Sequence, residues 1–337
     1  MSALKTSVHR EPISGPSAWL PGDLESSANW RYSWKPETLS EIEQAVRQWR
    51  SGPKGVLDTI LRQPEQARET FPLTSFTDDA HAIKEELEKG HGFVLLKGLP
   101  LDSYTVEEAY AIYAGISVLF GMPLAQDREG NLFYSVRDEG FQIESHGTPG
   151  VRGTKSNARL HFHTDSAPAH RGNTPDIVGL LCLHQARAGG ESLLVNANTL
   201  HNIILREEPS ALQRLYESYY FDRRADAEPW ESPLLEAPVF MYDGILSMRF
   251  NEFYMIMGAE LAGVPMLRTD LAAISVIKRL TNRPELIFRF TMERGDIQFL
   301  NNHYVIHARS AFEDRSGPEE KRHLVRIWLK LSNKESA

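Results

Sequence analysis

Beyond residue 91 the chain breaks into a succession of short apolar runs, each closed by glycine, proline or a polar turn, and this constrains the fold more than any other feature. Runs this short satisfy their backbone groups by pairing with one another, so they predict strands. The first is GFVLLKGLP, and others are expected at Leu132–Val136, Leu160–Thr164, Ile177–His184, Ser192–Val195, Tyr219–Asp222, Val239–Tyr242 and Ile245–Arg249. Three more follow at Glu285–Met292, Ile297–His303 and His323–Leu331. Helical spacing of apolar residues is found mostly earlier, at Glu41–Arg50, Asp79–Lys89 and Thr105–Phe120, the last opened by a Thr105/Glu108 capping box and stopped by Gly121-Met122-Pro123. Further helices are expected around Thr199–Glu217 and Asn251–Asn282. The first forty residues carry Trp19, Trp30 and Trp34 among prolines and serines and read as an irregular arm packed on the body. Many strands with helices gathered early predict an α+β chain built around a β-sandwich or barrel.

At 337 residues and 41% hydrophobic, the chain is long enough for one large domain with a substantial core, or for two smaller ones. A net charge of −8 with no basic run argues against nucleic acid or an anionic membrane as the main partner, since both need a positive face. The N-terminal MSALKTSVHREPISG lacks the apolar stretch of a signal peptide, no later stretch is long enough to span a bilayer, and the single cysteine, Cys182, lies in an apolar run. A cytoplasmic protein acting on a small molecule is the expectation, with self-association left open.

Chemistry concentrates in LHFHTDSAPAH, Leu160 to His170. On a strand, His161, His163 and Asp165 would share one face and Leu160, Phe162 and Thr164 the other, so an imidazole and a carboxylate could meet one cation. Alone, a His-x-Asp triplet arises readily by chance, and these histidines could be hydrogen-bonded neighbours with no ligand at all. A second polar cluster, His303 and His307, follows in NNHYVIHARSAF. After it comes HLVRIWLKL, where Val325, Ile327, Leu329 and Leu331 form an apolar face, with Arg322, Arg326 and Trp328 on the other. Arginines at alternate strand positions usually mark a solvated face. If the face is interior, each guanidinium needs an anion, because a lone buried charge costs several kcal/mol. Two histidines and one carboxylate leaving open positions suit non-haem Fe(II), whereas closed structural zinc would want a cysteine pair that the chain lacks.

Taken in order, GFVLLKGLP, LFGMP, HFHTD, AGGES, NNHYVIHARSAF and KRHLVRIW resemble the Fe(II)/2-oxoglutarate-dependent oxygenases of the taurine dioxygenase and clavaminate synthase-like superfamily, over most of the chain. The resemblance implies a double-stranded β-helix, or jelly roll, core with N-terminal and inserted helices. It makes residues 41–337 a single oxygenase domain with a lid at 140–158 and an insertion at 198–284. It implies His163, Asp165 and His307 as iron ligands and catalytic residues, with His303 the rival to His307. Arg322 falls where the far carboxylate of 2-oxoglutarate is held, and Ser192 where relatives carry a threonine for the same carboxylate. Arg326 matches a second arginine that touches either co-substrate or substrate. His161 and His170 match no ligand position. Asp165 argues against halogenation, for which relatives replace the carboxylate. The implied activity uses Fe(II), O2 and 2-oxoglutarate as co-substrate to oxidise, chiefly to hydroxylate, a small organic molecule, with succinate and CO2 as co-products. A Jumonji-like hydroxylase of protein side chains and a non-enzymatic metal-binding jelly roll are the alternatives.

Overall fold

The computed structural model describes residues 7–51, 56–141, 153–169, 173–223, 227, 230–317 and 320–331. Two sheets dominate. The larger has seven strands, in the order Arg31–Ser33, Phe93–Lys97, Ile297–Asn301, Ile177–His184, His323–Lys330 and Met122–Leu124, with Phe133–Val136 also pairing along His323–Lys330. All its pairings are antiparallel except that of Arg31–Ser33 with Phe93–Lys97. The smaller sheet is antiparallel and has four strands, Phe288–Phe290, Ser192–Asn196, Val305–Arg309 and Leu160–His163.

The alternation in HLVRIWLKL explains how the larger sheet is buried on both faces. Val325, Ile327 and Leu329 join Val94, Leu96, Ile177, Leu181, Ile297 and Phe299 in a core covered by the helices Pro36–Ser51, Thr77–Lys89 and Val106–Ser117. Gly179 lets the last helix come close: a Cβ there would meet the Tyr113 hydroxyl at 2.6 Å and Phe299 at 2.7 Å. On the opposite face Leu324 and Trp328 join Val178, Cys182 and Leu300 in a second core with Phe162, Leu194 and Ala308 of the smaller sheet. The arginine face of the last long strand therefore looks into the protein. Arg322 and Arg326 are only 5% and 7% exposed.

The Val106–Ser117 helix carries the expected capping box: Thr105 Oγ1 accepts from Glu108 N (3.3 Å) and Glu108 Oε2 from Thr105 N (2.9 Å). The first forty residues are more regular than expected. Pro21–Glu25 is helical and Arg31–Ser33 adds a strand to the sheet edge, while the Trp19 and Trp30 indoles donate to the His91 and Leu24 carbonyls. A short arm of mixed polarity gives no periodic signal for a strand whose register is set by its partner. The expected helix at Asn251–Asn282 is two, Glu252–Ala262 and Arg268–Leu280, broken at Gly263, whose φ of +66° ends the first. The Thr199–Glu217 region is likewise split before Pro209. Most of the proposed lid, residues 142–152, lies outside the described residues, as does His170. Among the described residues no helix is long and apolar enough to cross a membrane.

Candidate active site

His163 ends the Leu160–His163 strand, and His307 lies directly opposite it in Val305–Arg309. Facing residues of adjacent antiparallel strands have neighbouring Cβ atoms, and the two imidazole centroids are 4.4 Å apart. A register shift between His307 and Arg309 puts Leu160 opposite Arg309, so an extra residue is inserted on the first strand. This bulge breaks the simple alternation, and His161 is exposed while His163 is buried. His161 contributes its carbonyl instead, 2.8 Å from His163 Nδ1. A carbonyl only accepts, so the proton sits on Nδ1 and the Nε2 lone pair is left for the interior.

Asp165 sits in the turn after that strand, beside Ser166 with its φ of +52°. Asn302 clamps its backbone: Asn302 Oδ1 accepts from Asp165 N (2.8 Å) and Nδ2 donates to Asp165 O (3.0 Å). Asp165 Oδ1 thereby lies 3.3 Å from His163 Nε2 and 3.6 Å from His307 Nε2, and the three donor atoms all lie within 4.8 Å of one another. Asp165 Oδ2 is taken up by protein, accepting from Trp328 Nε1 (2.7 Å) and pairing with Arg326 Nη1 (3.1 Å). Burial pushes the Asp165 carboxyl up, but Arg326, His163 and His307 outweigh it and hold it well below the usual range. Burial and the neighbouring His163 lower His307. Two imidazole nitrogens and one carboxylate oxygen, with no fourth such ligand among the described residues, fit a divalent iron that keeps open positions.

Arg326 is fixed as firmly as Asp165. Its Nε donates to Gln126 Oε1 (2.7 Å), and Gln126 Nε2 donates in turn to the Leu132 and Arg326 carbonyls. Tyr134 and Trp328 lie 5.1 and 4.6 Å from its guanidinium carbon. The arginine open to either co-substrate or substrate is thus turned to the carboxylate of Asp165.

One cavity unites the expected site residues. His163, Asp165, Ser192, His307, Arg322 and Arg326 all line it, within walls that include Val178, Leu180, Leu194 and Leu324. Arg322 enters from the far end of its strand, where burial pulls it down to about 10. Its Nη1 is buried without a partner, and its Nη2 reaches the Gly190 carbonyl only at 3.5 Å. The AGGES stretch makes room for it: Gly190 has a φ of +73°, and a Cβ there would come within 2.9 Å of Arg322 Nε. His303 stands apart, its Nε2 2.8 Å from Asp176 Oδ1 and its Nδ1 3.1 Å from Ser247 Oγ. A far larger cleft of about 1060 Å³ passes His303, Asp176 and Ser247 but contains none of the three converging residues.

Three polar lining residues were given no role at the site from the sequence: Arg309, Gln298 and Thr154. The first two had a signal. Arg309 is two positions beyond His307 on one strand, and Gln298 is an amide set between Ile297 and Phe299 in an apolar run.

This trio is the ligand set that a mononuclear non-haem iron oxygenase needs. The family model described as taurine catabolism dioxygenase TauD, TfdA family matches residues 59–328, and the chain belongs to that family. It is accordingly a non-haem iron dioxygenase using Fe(II), O2 and 2-oxoglutarate, and the non-enzymatic alternative is set aside. It is similar to the FR-33289 synthase of Streptomyces rubellomurinus, with 28% identity over 330 residues spanning 97% of this chain and 92% of the relative. Among solved structures it resembles an asparagine oxygenase in complex with Fe(II), 2S,3S-3-hydroxyasparagine and succinate (TM-score 0.65, 16% identity, 89% of this chain and 93% of that one). It also resembles the non-heme iron oxygenase OrfP in complex with Fe, succinate and (3S)-hydroxy-L-Arg (TM-score 0.63, 17% identity, 89% and 94%). At these identities the structural likeness is one of fold.

Proposed function

We propose that His163, Asp165 and His307 hold Fe(II), that Arg322 and Ser192 receive the far carboxylate of 2-oxoglutarate, and that the enzyme hydroxylates a small organic molecule. In this reading the seven- and four-stranded sheets are the two walls of a double-stranded β-helix, with the metal between them. The observation that carries it is the shared cavity, which has a metal-ligating trio at one place and a buried, partly unpartnered guanidinium at another. The two solved neighbours, each in complex with a hydroxylated amino acid, support a small polar substrate.

The bound iron and co-substrate supply the oxidising chemistry: of the two atoms of O2 one enters the substrate C–H bond and the other the succinate carboxylate, with release of CO2. The chain's contribution is placement. Trp328 and Arg326 occupy Asp165 Oδ2 and leave Oδ1 for the metal, the His161 carbonyl sets the His163 ring, and Asn302 fixes the turn that carries Asp165. The apolar walls exclude water from the co-substrate channel, which strengthens the pairing of Arg322 with a carboxylate.

The test is to add 2-oxoglutarate to the Fe(II)-loaded protein without air and record the visible spectrum. A charge-transfer band is expected, and its absence in metal-loaded wild type overturns the reading. Mass spectrometry of amino acids, sulfonates and phosphonates incubated with the complete system then looks for succinate-coupled gain of one oxygen.

A further inference from the structure

Arg309 is not part of the assignment above, yet its surroundings resemble those of Arg322. It projects from the same strand as His307, lines the same cavity and is 6% exposed. Its Nη2 donates to the carbonyls of Ser156 (2.7 Å) and Ala158, while Nε and Nη1 are buried with no partner. The guanidinium carbons of Arg309 and Arg322 lie 4.7 and 5.1 Å from the centre of one ring, Phe312. Ser192 and Thr154, whose buried hydroxyl is also unpartnered, line the cavity with them.

Two cations buried against one ring repel each other. Asp314 and Asp138 are the acidic groups that act on it, but neither forms an ion pair with either arginine, and Asp314 Oδ1 is spent on the Arg322 backbone N–H (2.8 Å). Buried N–H groups of a guanidinium are costly to leave unmade. Three in one cavity, on two arginines, call for an anion with several acceptor oxygens.

Resting on the reading of the site given above, we infer that Arg309 is a second anchor for the far carboxylate of 2-oxoglutarate, and that it ties co-substrate binding to the 153–158 segment through the Ser156 and Ala158 carbonyls. Arg322 and Arg309 would share one carboxylate. With the anion in place, Arg309 is held from both sides, and the segment leading into the His163 strand is held with it.

The experiment compares anaerobic Fe(II)-protein titrated calorimetrically with 2-oxoglutarate and with 2-oxobutyrate, a 2-oxo acid lacking the far carboxylate. Arg309→Leu should weaken 2-oxoglutarate binding by roughly tenfold or more, the scale of a lost hydrogen bond to a charged group, and leave 2-oxobutyrate unchanged. Hydrogen exchange of the 153–158 amides should slow on adding 2-oxoglutarate to wild type and not to the variant. Arg309→Gln keeps a donor for the two carbonyls and removes the charge, so it guards against misfolding and must lose the same discrimination. Unchanged 2-oxoglutarate affinity in Arg309→Gln, or an equal loss for both acids, overturns the inference. Failure of wild type to bind 2-oxoglutarate at all would instead overturn the function proposed for the site.

Discussion

The cavity treats charge in opposite ways at its two ends. Around Asp165 every polar contact is made by the protein: one carboxylate oxygen faces two imidazoles and the other takes Arg326 and the Trp328 indole. Around Arg322 and Arg309, three guanidinium nitrogens are buried without a partner. Asp165, Arg322 and Arg309 are all buried, so burial alone does not explain the difference. Three unmade guanidinium bonds at one end, against the single unpartnered His307 Nδ1 beside the carboxylate at the other, support the proposed anion site at the first. The satisfied end works by rigidity, presenting Nε2, Oδ1 and Nε2 in a fixed arrangement. The unsatisfied end works by vacancy of hydrogen-bonding capacity.

The largest effect should come from breaking the satisfied end. Asp165→Ala removes a proposed ligand and leaves Arg326 Nη1 without its carboxylate, so bound iron, read by metal analysis after desalting, should be lost. Turnover should fall with it by roughly a thousandfold or more, the several kcal/mol that metal assistance supplies. Retained stoichiometric iron in this variant would refute the assignment.

Next comes a contrast between Arg326, within the His323–Lys330 strand, and Arg322, just before it. Arg322→Leu should keep iron but raise KM for 2-oxoglutarate by roughly thirtyfold or more, as expected for truncating one member of a buried charged pair. Having no protein ion pair to lose, it should leave the melting temperature of the ligand-free protein unchanged or higher. Arg326→Leu should do the reverse to stability, lowering it by about 3 kcal/mol in urea melts because Asp165 loses its partner while staying buried. Equal destabilisation by both would erase the distinction between the two ends.

A finer cut is Trp328→Phe, which keeps the ring and removes the Nε1–H donor to Asp165 Oδ2. Outer-shell donors to metal ligands are worth about tenfold or more in metal affinity, so competition with a chelator should show iron held roughly ten times more weakly.

How much of this was legible beforehand follows from where the signals are local. That His163, Asp165 and His307 meet was implied by the resemblance that HFHTD and NNHYVIHARSAF carry, not by spacing alone, and Ile177–His184 is found where its apolar run predicts. The burial of Arg322 and Arg326 could not be read in this way, since alternation gives two faces without saying which is covered; the packing of the smaller sheet on the Leu324 and Trp328 face decides it. His161 misled because a bulge is a property of two strands, and one strand's sequence does not display it. Arg309 was passed over for a related reason: as a residue beside His307 it reads as motif, and only the unpartnered nitrogens give it a role.

The smallest expected effect tests the premise that an unpaired buried cation signals a ligand. Outside the trio, His201, buried beside Tyr216, and His323, half-buried beside Ser135, are both pulled by burial to about 4. An imidazole can meet burial by shedding its proton, which a guanidinium cannot do near neutral pH. Their folded values lie below the unfolded value of about 6.5, so the unfolded chain binds more protons between those limits. Stability should therefore be fully present above about pH 6.5 and decline as pH falls toward 4, by up to about 1.4 kcal/mol per pH unit for each histidine. Urea melts of the metal-free protein at several pH values should show this slope, and His201→Gln should reduce it by about one proton's worth. If the slope is unchanged, His201 is protonated in the fold, and an orphaned cation would then be something this interior accepts without a ligand, which would remove the physical ground for reading Arg322 and Arg309 as an anion site.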